Sequence, residues 1–138
     1  MVTIFKECVG KRKKIAFLCV ENACRSQIAE AVAKTLCNRP NLEFVSGGTN
    51  PAKQVDQKAL EVLREEGVIW HGKPKIIPDK EPIDEVVTLG CEVECPTIPG
   101  AKIIAWDIPD PKGKDIEDYR RTLRLLKEKI SGLLKEIE

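Results

Sequence analysis

Lys13-Lys14-Ile15-Ala16-Phe17-Leu18-Cys19-Val20-Glu21-Asn22-Ala23-Cys24-Arg25-Ser26-Gln27-Ile28-Ala29-Glu30 is the stretch on which the reading of the chain turns. It opens with an unbroken apolar run, the pattern of a strand buried on both faces. A short loop follows, and Ser26 then marks a helix start ahead of Ile28, Ala29, Val32 and Leu36 at helical spacing. A loop running from a strand into a helix N-terminus turns backbone N–H groups into a small concavity, and the helix dipole adds partial positive charge there. Such a cup suits an oxyanion. Cys19 opens the loop and Arg25 closes it six positions later. A cysteine on the floor of the cup has its thiolate stabilised by the same donors. Arginine adds a planar fork that matches two oxygens of a tetrahedral anion, a geometry lysine does not copy. The stretch therefore predicts a thiolate nucleophile, Cys19, aimed at a bound tetrahedral oxyanion. Arg25 stands on the rim, and Val20, Glu21, Asn22, Ala23, Cys24 and Ser26 make up the anion-binding loop.

Outward from this stretch, strand and helix patterns alternate. Asn38-Arg39-Pro40-Asn41 ends the first helix, and Leu42-Glu43-Phe44-Val45-Ser46 reads as a second strand stopped by Gly47-Gly48. Asp56 then caps a helix carrying Ala59, Leu60, Val62 and Leu63, which terminates near Gly67. Residues 68–83 hold three prolines and read as irregular. Asp84 to Gly90 is a third strand and Lys102 to Trp106 a fourth. Asp115 opens a long helix with Ile116, Tyr119, Leu123, Leu126, Ile130, Leu133 and Ile137 on one stripe, expected to pack on the sheet. Alternating strands and helices imply right-handed crossovers and a parallel sheet. Ligands of such sheets bind at the carboxyl ends of the strands, where the Cys19 loop falls. Residues 1–12 form an N-terminal extension, with a basic run from Lys11 to Lys14 read as a solvated lead into the first strand, and residues 13–138 form one domain.

Composition narrows the function classes. The 138 residues include 23 basic and 22 acidic side chains, a net charge of +1, so no global field attracts nucleic acid or an anionic membrane surface. No apolar run approaches the roughly 20 residues of a membrane span, and a soluble cytoplasmic protein is the expectation. Six cysteines are many for such a chain. Cys19-x4-Cys24 with Cys91-x3-Cys95 supplies four thiolates for zinc, but the first pair is interrupted by the arginine loop and neither spacing is the usual Cys-x2-Cys. No bound metal or cofactor is expected. Cys8 and Cys37 have no partner by spacing and read as small apolar residues. His71, the single histidine, has nothing in the sequence to tie it to Cys19, so a proton donor is sought among the carboxylates. Asp110 and Asp107 are the candidates. Asp110 is followed by Pro111, which stiffens the delivery of an acid.

Cys19-x5-Arg25-Ser26, with a strand before it, an Ala-Glu helix after it and Asn22 at the third loop position, resembles the low-molecular-weight protein tyrosine phosphatase superfamily, and within it the thioredoxin-coupled arsenate reductases. The resemblance implies an α/β fold of that phosphatase type: a single three-layer domain with a central four-stranded parallel sheet flanked by helices. Asp110-Pro111 is similar to the family's general-acid loop. Cys91 and Cys95-Pro96, after the third strand, are similar to the cysteines that relay the disulfide in the reductases. Glu21 departs from the glycine many members carry, and a carboxylate beside an anion site is unfavourable unless it points outward. Lys112-Gly113-Lys114 stands where the tyrosine phosphatases place an aromatic residue that grips a phenyl ring.

The activity this implies is reduction of arsenate to arsenite. Cys19 attacks arsenic, Asp110 protonates the departing oxygen, a second thiol attacks Cys19 and releases arsenite, and the disulfide passes from Cys91 to Cys95 before thioredoxin or a similar dithiol restores the enzyme. The alternative is a phosphatase acting on phosphotyrosine proteins or small phosphate monoesters through a cysteinyl-phosphate on Cys19, with Cys19–Cys24 as a protective disulfide. A third reading, a redox or metal-binding module without catalysis, makes little use of Arg25 or Asp110.

Overall fold

In the computed structural model, which describes residues 12–76, 82–90, 98 and 100–137, the elements follow the chain as β1 (Lys13–Cys19), α1 (Arg25–Leu36), β2 (Leu42–Gly48), α2 (Gln57–Glu65), β3 (Glu85–Thr88), β4 (Lys102–Ala105) and α3 (Ile116–Glu136). The four strands form one sheet in the order β2-β1-β3-β4, every pair parallel. β1 is central, which is why its run is apolar throughout: Ile15 to Cys19 are all buried, covered from both faces. Cys19 pairs with Gly48 at the carboxyl edge, and the chain leaves β1 there for the loop.

One face of the sheet carries most of the core. Ile15, Phe17, Phe44 and Val87 meet Ile28 and Val32 of α1, Val62 and Leu63 of α2, and Leu126 and Ile130 of α3. Phe17 stacks on Phe44 at 6.2 Å and tilts against Trp106 at 6.3 Å between ring centroids. The opposite face holds a smaller cluster, Ala16, Leu18, Ile83, Val86 and Ile98, flanked by Val45 and Ala101. Among the described residues this second layer is made by connecting segments and the helices stand on the first face.

The long helix differs in detail from the expectation. The backbone neighbours of α3 are α1 and α2, and it reaches the sheet only through its side chains. Its C-terminal carbonyls of Leu134 and Ile137 accept from the guanidinium of Arg39, whose place after α1 thus closes that end. Helix α2 begins at Asp56, whose carboxylate accepts from Lys58 N–H at 3.0 Å. It ends in a paired motif, Gly67 N–H to Arg64 C=O and Val68 N–H to Leu63 C=O, which needs the positive φ of 84° that Gly67 supplies. Residues 68–76 contain no helix and only an isolated bridge, Ile76 to Gly48, at the outer edge of β2. Residues 1–11 of the expected extension lie outside the described residues, as do Cys8, Cys91 and Cys95.

Candidate active site

Helix α1 starts at Arg25, two residues earlier than a cap at Ser26 would set it, and Ser26 is not its cap. Cys24 holds the N-cap position and its side chain accepts no hydrogen bond there. The first-turn N–H groups of α1 therefore lack the side-chain partner that most helices carry. Ser26 is used differently: its Oγ lies 2.9 Å from Cys19 Sγ. Asn22 Nδ2 donates to Ser26 Oγ at 2.6 Å, which leaves the serine proton free to be directed at the sulfur.

Asn22 is the hub of a buried polar network. It is the one non-glycine residue with positive φ among those described, at 52°, a conformation asparagine tolerates better than most residues. Glu21 therefore needs no such backbone. Asn22 Nδ2 also donates to Ser46 Oγ (3.0 Å), Ser46 donates to Glu30 (2.6 Å), and the buried Glu30 pairs with Lys34 at 2.7 Å and Lys75 at 3.5 Å. On its other side Asn22 Oδ1 accepts from Gln27 Nε2 (3.0 Å) and Lys75 N–H (2.9 Å), while Gln27 Oε1 accepts from Trp70 Nε1 (2.7 Å). A network satisfied at every step is rigid, because each departure leaves a desolvated group unpaired.

The loop backbone is oriented from outside. Carbonyls of Val20, Glu21 and Ala23 accept from the N–H groups of Asn50, Ala52 and Asp56 at 2.8 to 3.0 Å. No described peptide bond is cis, and a trans peptide sets N–H opposite to C=O, so the N–H groups of Glu21, Asn22 and Cys24 each point away from the segment that the carbonyl of the same peptide bonds. Gly48 makes this packing possible, since a Cβ there would lie 2.4 Å from Val20 O.

Two backbone carbonyls hold Arg25, and one carboxylate faces it. Nη1 donates to Leu89 O at 2.5 Å and to Ile108 O at 3.0 Å, the first just past β3 and the second past β4. Gly90 has a φ of 91°, which a side chain rarely adopts, and a Cβ there would stand 2.7 Å from Nη1 and push the guanidinium aside. Nη2 lies 3.6 Å from Asp110 Oδ2. Cys19, Arg25, Asp110, Glu21, Lys112 and Asp56 all line one cavity of about 660 Å³. Asp107 and His71 are exposed and do not line it. Cys24 also lines it but is buried. Burial, then the carboxylates of Asp56 and Asp110, push its thiol well above the usual range, so it stays protonated. Asp56 accepts a short hydrogen bond from Tyr119 of α3, which ties the long helix to the cavity wall.

Comparison with known proteins agrees with this geometry. The low molecular weight phosphotyrosine protein phosphatase family model matches residues 14–138. The chain belongs to that family. A putative arsenate reductase of Halobacterium salinarum is 32% identical over 133 residues, covering 89% of this chain and 92% of that protein. Among solved structures, an arsenate reductase in the phosphate-binding state superposes with a TM-score of 0.80 at 30% identity, covering 91% of this chain and 99% of that one. The thioredoxin-dependent arsenate reductase of Corynebacterium glutamicum gives 0.76 at 30% identity, over 99% of this chain and 69% of that one.

Within this phosphatase family member, the structure brings Cys19, Arg25, Asp110 and the loop residues together, while Cys91 and Cys95 fall outside the described residues. Among the described residues no three His, Cys, Asp or Glu side chains converge to hold a metal ion. No described helix is long and apolar enough to cross a membrane. Sequence reasoning missed Ser46, Gln27, Glu30, Lys75 and Trp70 as supports of the loop, and Lys112 as the partner of Glu21, whose carboxylate accepts from Nζ at 2.5 Å. Gly48 and Gly90 were the available signals: each glycine marks a close approach to the loop or its arginine.

Proposed function

We propose that this chain reduces arsenate to arsenite. Arsenate sits in the cradle, with its oxygens on loop N–H groups and on the Arg25 edge not taken up by Leu89 O and Ile108 O. Cys19 sulfur, as thiolate, attacks arsenic; an As–S bond forms and an As–O bond breaks, with Asp110 giving the departing oxygen its proton. The hydroxyl of Ser26 directed at the sulfur suits a sulfur carrying negative charge. Cys91 then attacks Cys19 sulfur. The As–S electron pair leaves with arsenic, which becomes As(III), and a Cys19–Cys91 disulfide remains. Cys95 takes over that disulfide, and a thioredoxin-like dithiol reduces it. A soluble, cytoplasmic setting with such a reductant fits this chemistry.

The convergence of Cys19, Arg25 and Asp110 on one cavity carries the reading, in a chain whose relatives at 30% identity and above are named arsenate reductases. The family's own description favours a second reading, hydrolysis of phosphotyrosine or small phosphate monoesters through a cysteinyl-phosphate on the same three residues. Cys24 lines the same cavity as Cys19, so in that reading it is the partner for a protective Cys19–Cys24 disulfide. Steady-state turnover of arsenate and of an aryl phosphate, with and without thioredoxin, separates the two. Cys91→Ser and Cys95→Ser abolish multiple-turnover arsenate reduction and leave aryl phosphate hydrolysis within about twofold, because neither thiol acts in hydrolysis. Arsenate turnover surviving both substitutions overturns the relay.

A further inference from the structure

We propose that Glu21 and Lys112 form a charged rim that restricts this site to small inorganic oxyanions. The inference rests on the oxyanion reading above and deepens it. Glu21 belongs to the anion loop and Lys112 to the segment that carries Asp110, 91 residues away, and the two meet at 2.5 Å on the wall of the Cys19 cavity. Lys112 also donates its backbone N–H to Asp110 Oδ1 at 3.1 Å, so the same residue touches both the acid and the anion loop. Glu21 holds the ammonium above its ordinary titration range, which agrees with a standing ion pair.

The pair contributes little to stability. Its side chains are 57% and 39% exposed, and such surface pairs contribute about 0–1 kcal/mol. Its consequence lies in what can enter. The charged residues of the cavity wall are three acids and three bases, Glu21, Asp56 and Asp110 against Arg25, Lys58 and Lys112. Alone, Glu21 would repel an arriving dianion; paired with Lys112 it presents a compensated dipole. A tetraoxo anion fits beneath that dipole. An aryl phosphate seated at Cys19 extends its ring along the wall these two partly exposed side chains form, where the ring either separates the two charges or strips their water, and both cost free energy that an apolar contact does not return. Glu21 and Lys112, read separately in the sequence, are thus one feature.

A double-mutant cycle on the full chain tests it, using Glu21→Gly, Lys112→Tyr and the combination, with inorganic phosphate and p-nitrophenyl phosphate as probes. Phosphate affinity is read from protection of Cys19 against alkylation, which needs no turnover. Glu21→Gly is expected to tighten phosphate about fivefold and Lys112→Tyr to weaken it about as much, with the double variant returning to within about twofold of the parent. The double variant is expected to raise kcat/KM for the aryl phosphate at least about tenfold. Glu21→Gln and Lys112→Met repeat the affinity arm with uncharged side chains of similar size should either first substitution unfold the chain. Phosphate affinity unmoved by either single substitution, a double variant that stays more than about twofold from the parent, or no gain on the aryl ester, overturns the rim. Phosphate that fails to protect Cys19 in the parent overturns the rim together with the oxyanion site. Protection by phosphate without arsenate reduction defeats the reductase reading alone, and the rim is still decided by the cycle.

Discussion

Helices α2 and α3 begin at aspartates, Asp56 and Asp115, whose carboxylates accept from the N–H groups of Lys58 and Asp118; helix α1 begins at Cys24, whose side chain accepts nothing. The first two helices satisfy their own ends. The third leaves its N-terminus open while tying its loop carbonyls outward and its hub residue, Asn22, into a buried network. A side-chain cap typically contributes about 1 kcal/mol, so the open end forgoes that much stability at the place where the proposed anion would supply the missing charge. Two kinds of helix start, one closed by its own side chain and one left open at the proposed anion site, divide the molecule into scaffold and site.

Arg25→Lys breaks the open end most severely. Lysine has no second nitrogen to face an anion while the first donates to Leu89 O and Ile108 O, so kcat/KM for arsenate is expected to fall about 10²–10³-fold, as for loss of one transition-state donor. Stopped assays with thioredoxin measure it, and a loss under tenfold means the guanidinium is not the anion's partner. A smaller effect follows from adding the ligand. Phosphate at 100 times its Kd is expected to stabilise the parent by about 2.7 kcal/mol in urea unfolding, with the gain largely gone in Arg25→Lys. A parent indifferent to phosphate shows that the uncapped end is simply a weak helix start.

Smaller again is the exchange between the two kinds of start. Asp115→Ala is expected to cost about 1 kcal/mol of stability with kcat unchanged, because it removes only a cap. Ser26→Ala is expected to lower kcat about tenfold through the lost hydroxyl at Cys19 sulfur, with a stability change near that of one hydrogen bond, about 1 kcal/mol. Equal kcat values in the two variants erase the division between scaffold and site.

These differences also explain what the sequence could and could not reveal. The run Ile15 to Leu18, the caps Asp56 and Asp115 and the terminator Gly67 act locally, so spacing and residue type expose them. Ser26 misled because a serine ahead of an apolar stripe reads as a cap, and only the folded loop shows it bonded to sulfur. Ser46 looks like any polar residue in a strand until the parallel register sets it opposite Phe17, beside the loop. The carbonyls that anchor Arg25 have no side-chain identity at all, so nothing at Leu89 or Ile108 announces them. Glu21 and Lys112 pair across 91 residues, beyond the reach of any local pattern.

Alkaline pH supplies the gentlest test, and it separates the two sides of the loop rather than the two helix types. Cys24 and Tyr119 are both raised above their ordinary values of 9.0 and 10.0, first by burial and then by carboxylates, Asp56 prominent among them. Each is an acid that loses a proton to become charged. Above about pH 9 the unfolded chain sheds these protons while the folded one keeps them, so the unfolded state binds fewer protons and stability falls as pH rises. Below about pH 9 the contribution is complete. Each group adds a slope of at most about 1.4 kcal/mol per pH unit. Urea unfolding between pH 7 and 10.5 is therefore expected to show a plateau and then a decline that is shallower in Cys24→Ala. Tyr119→Phe, which also removes the bond to Asp56, is expected to lower the plateau by about 1 kcal/mol and flatten the decline. An unchanged decline in Cys24→Ala means that its thiol ionises as freely in the folded loop as in the unfolded chain, and the buried, protonated side of the loop then loses its distinction from the side that faces the anion.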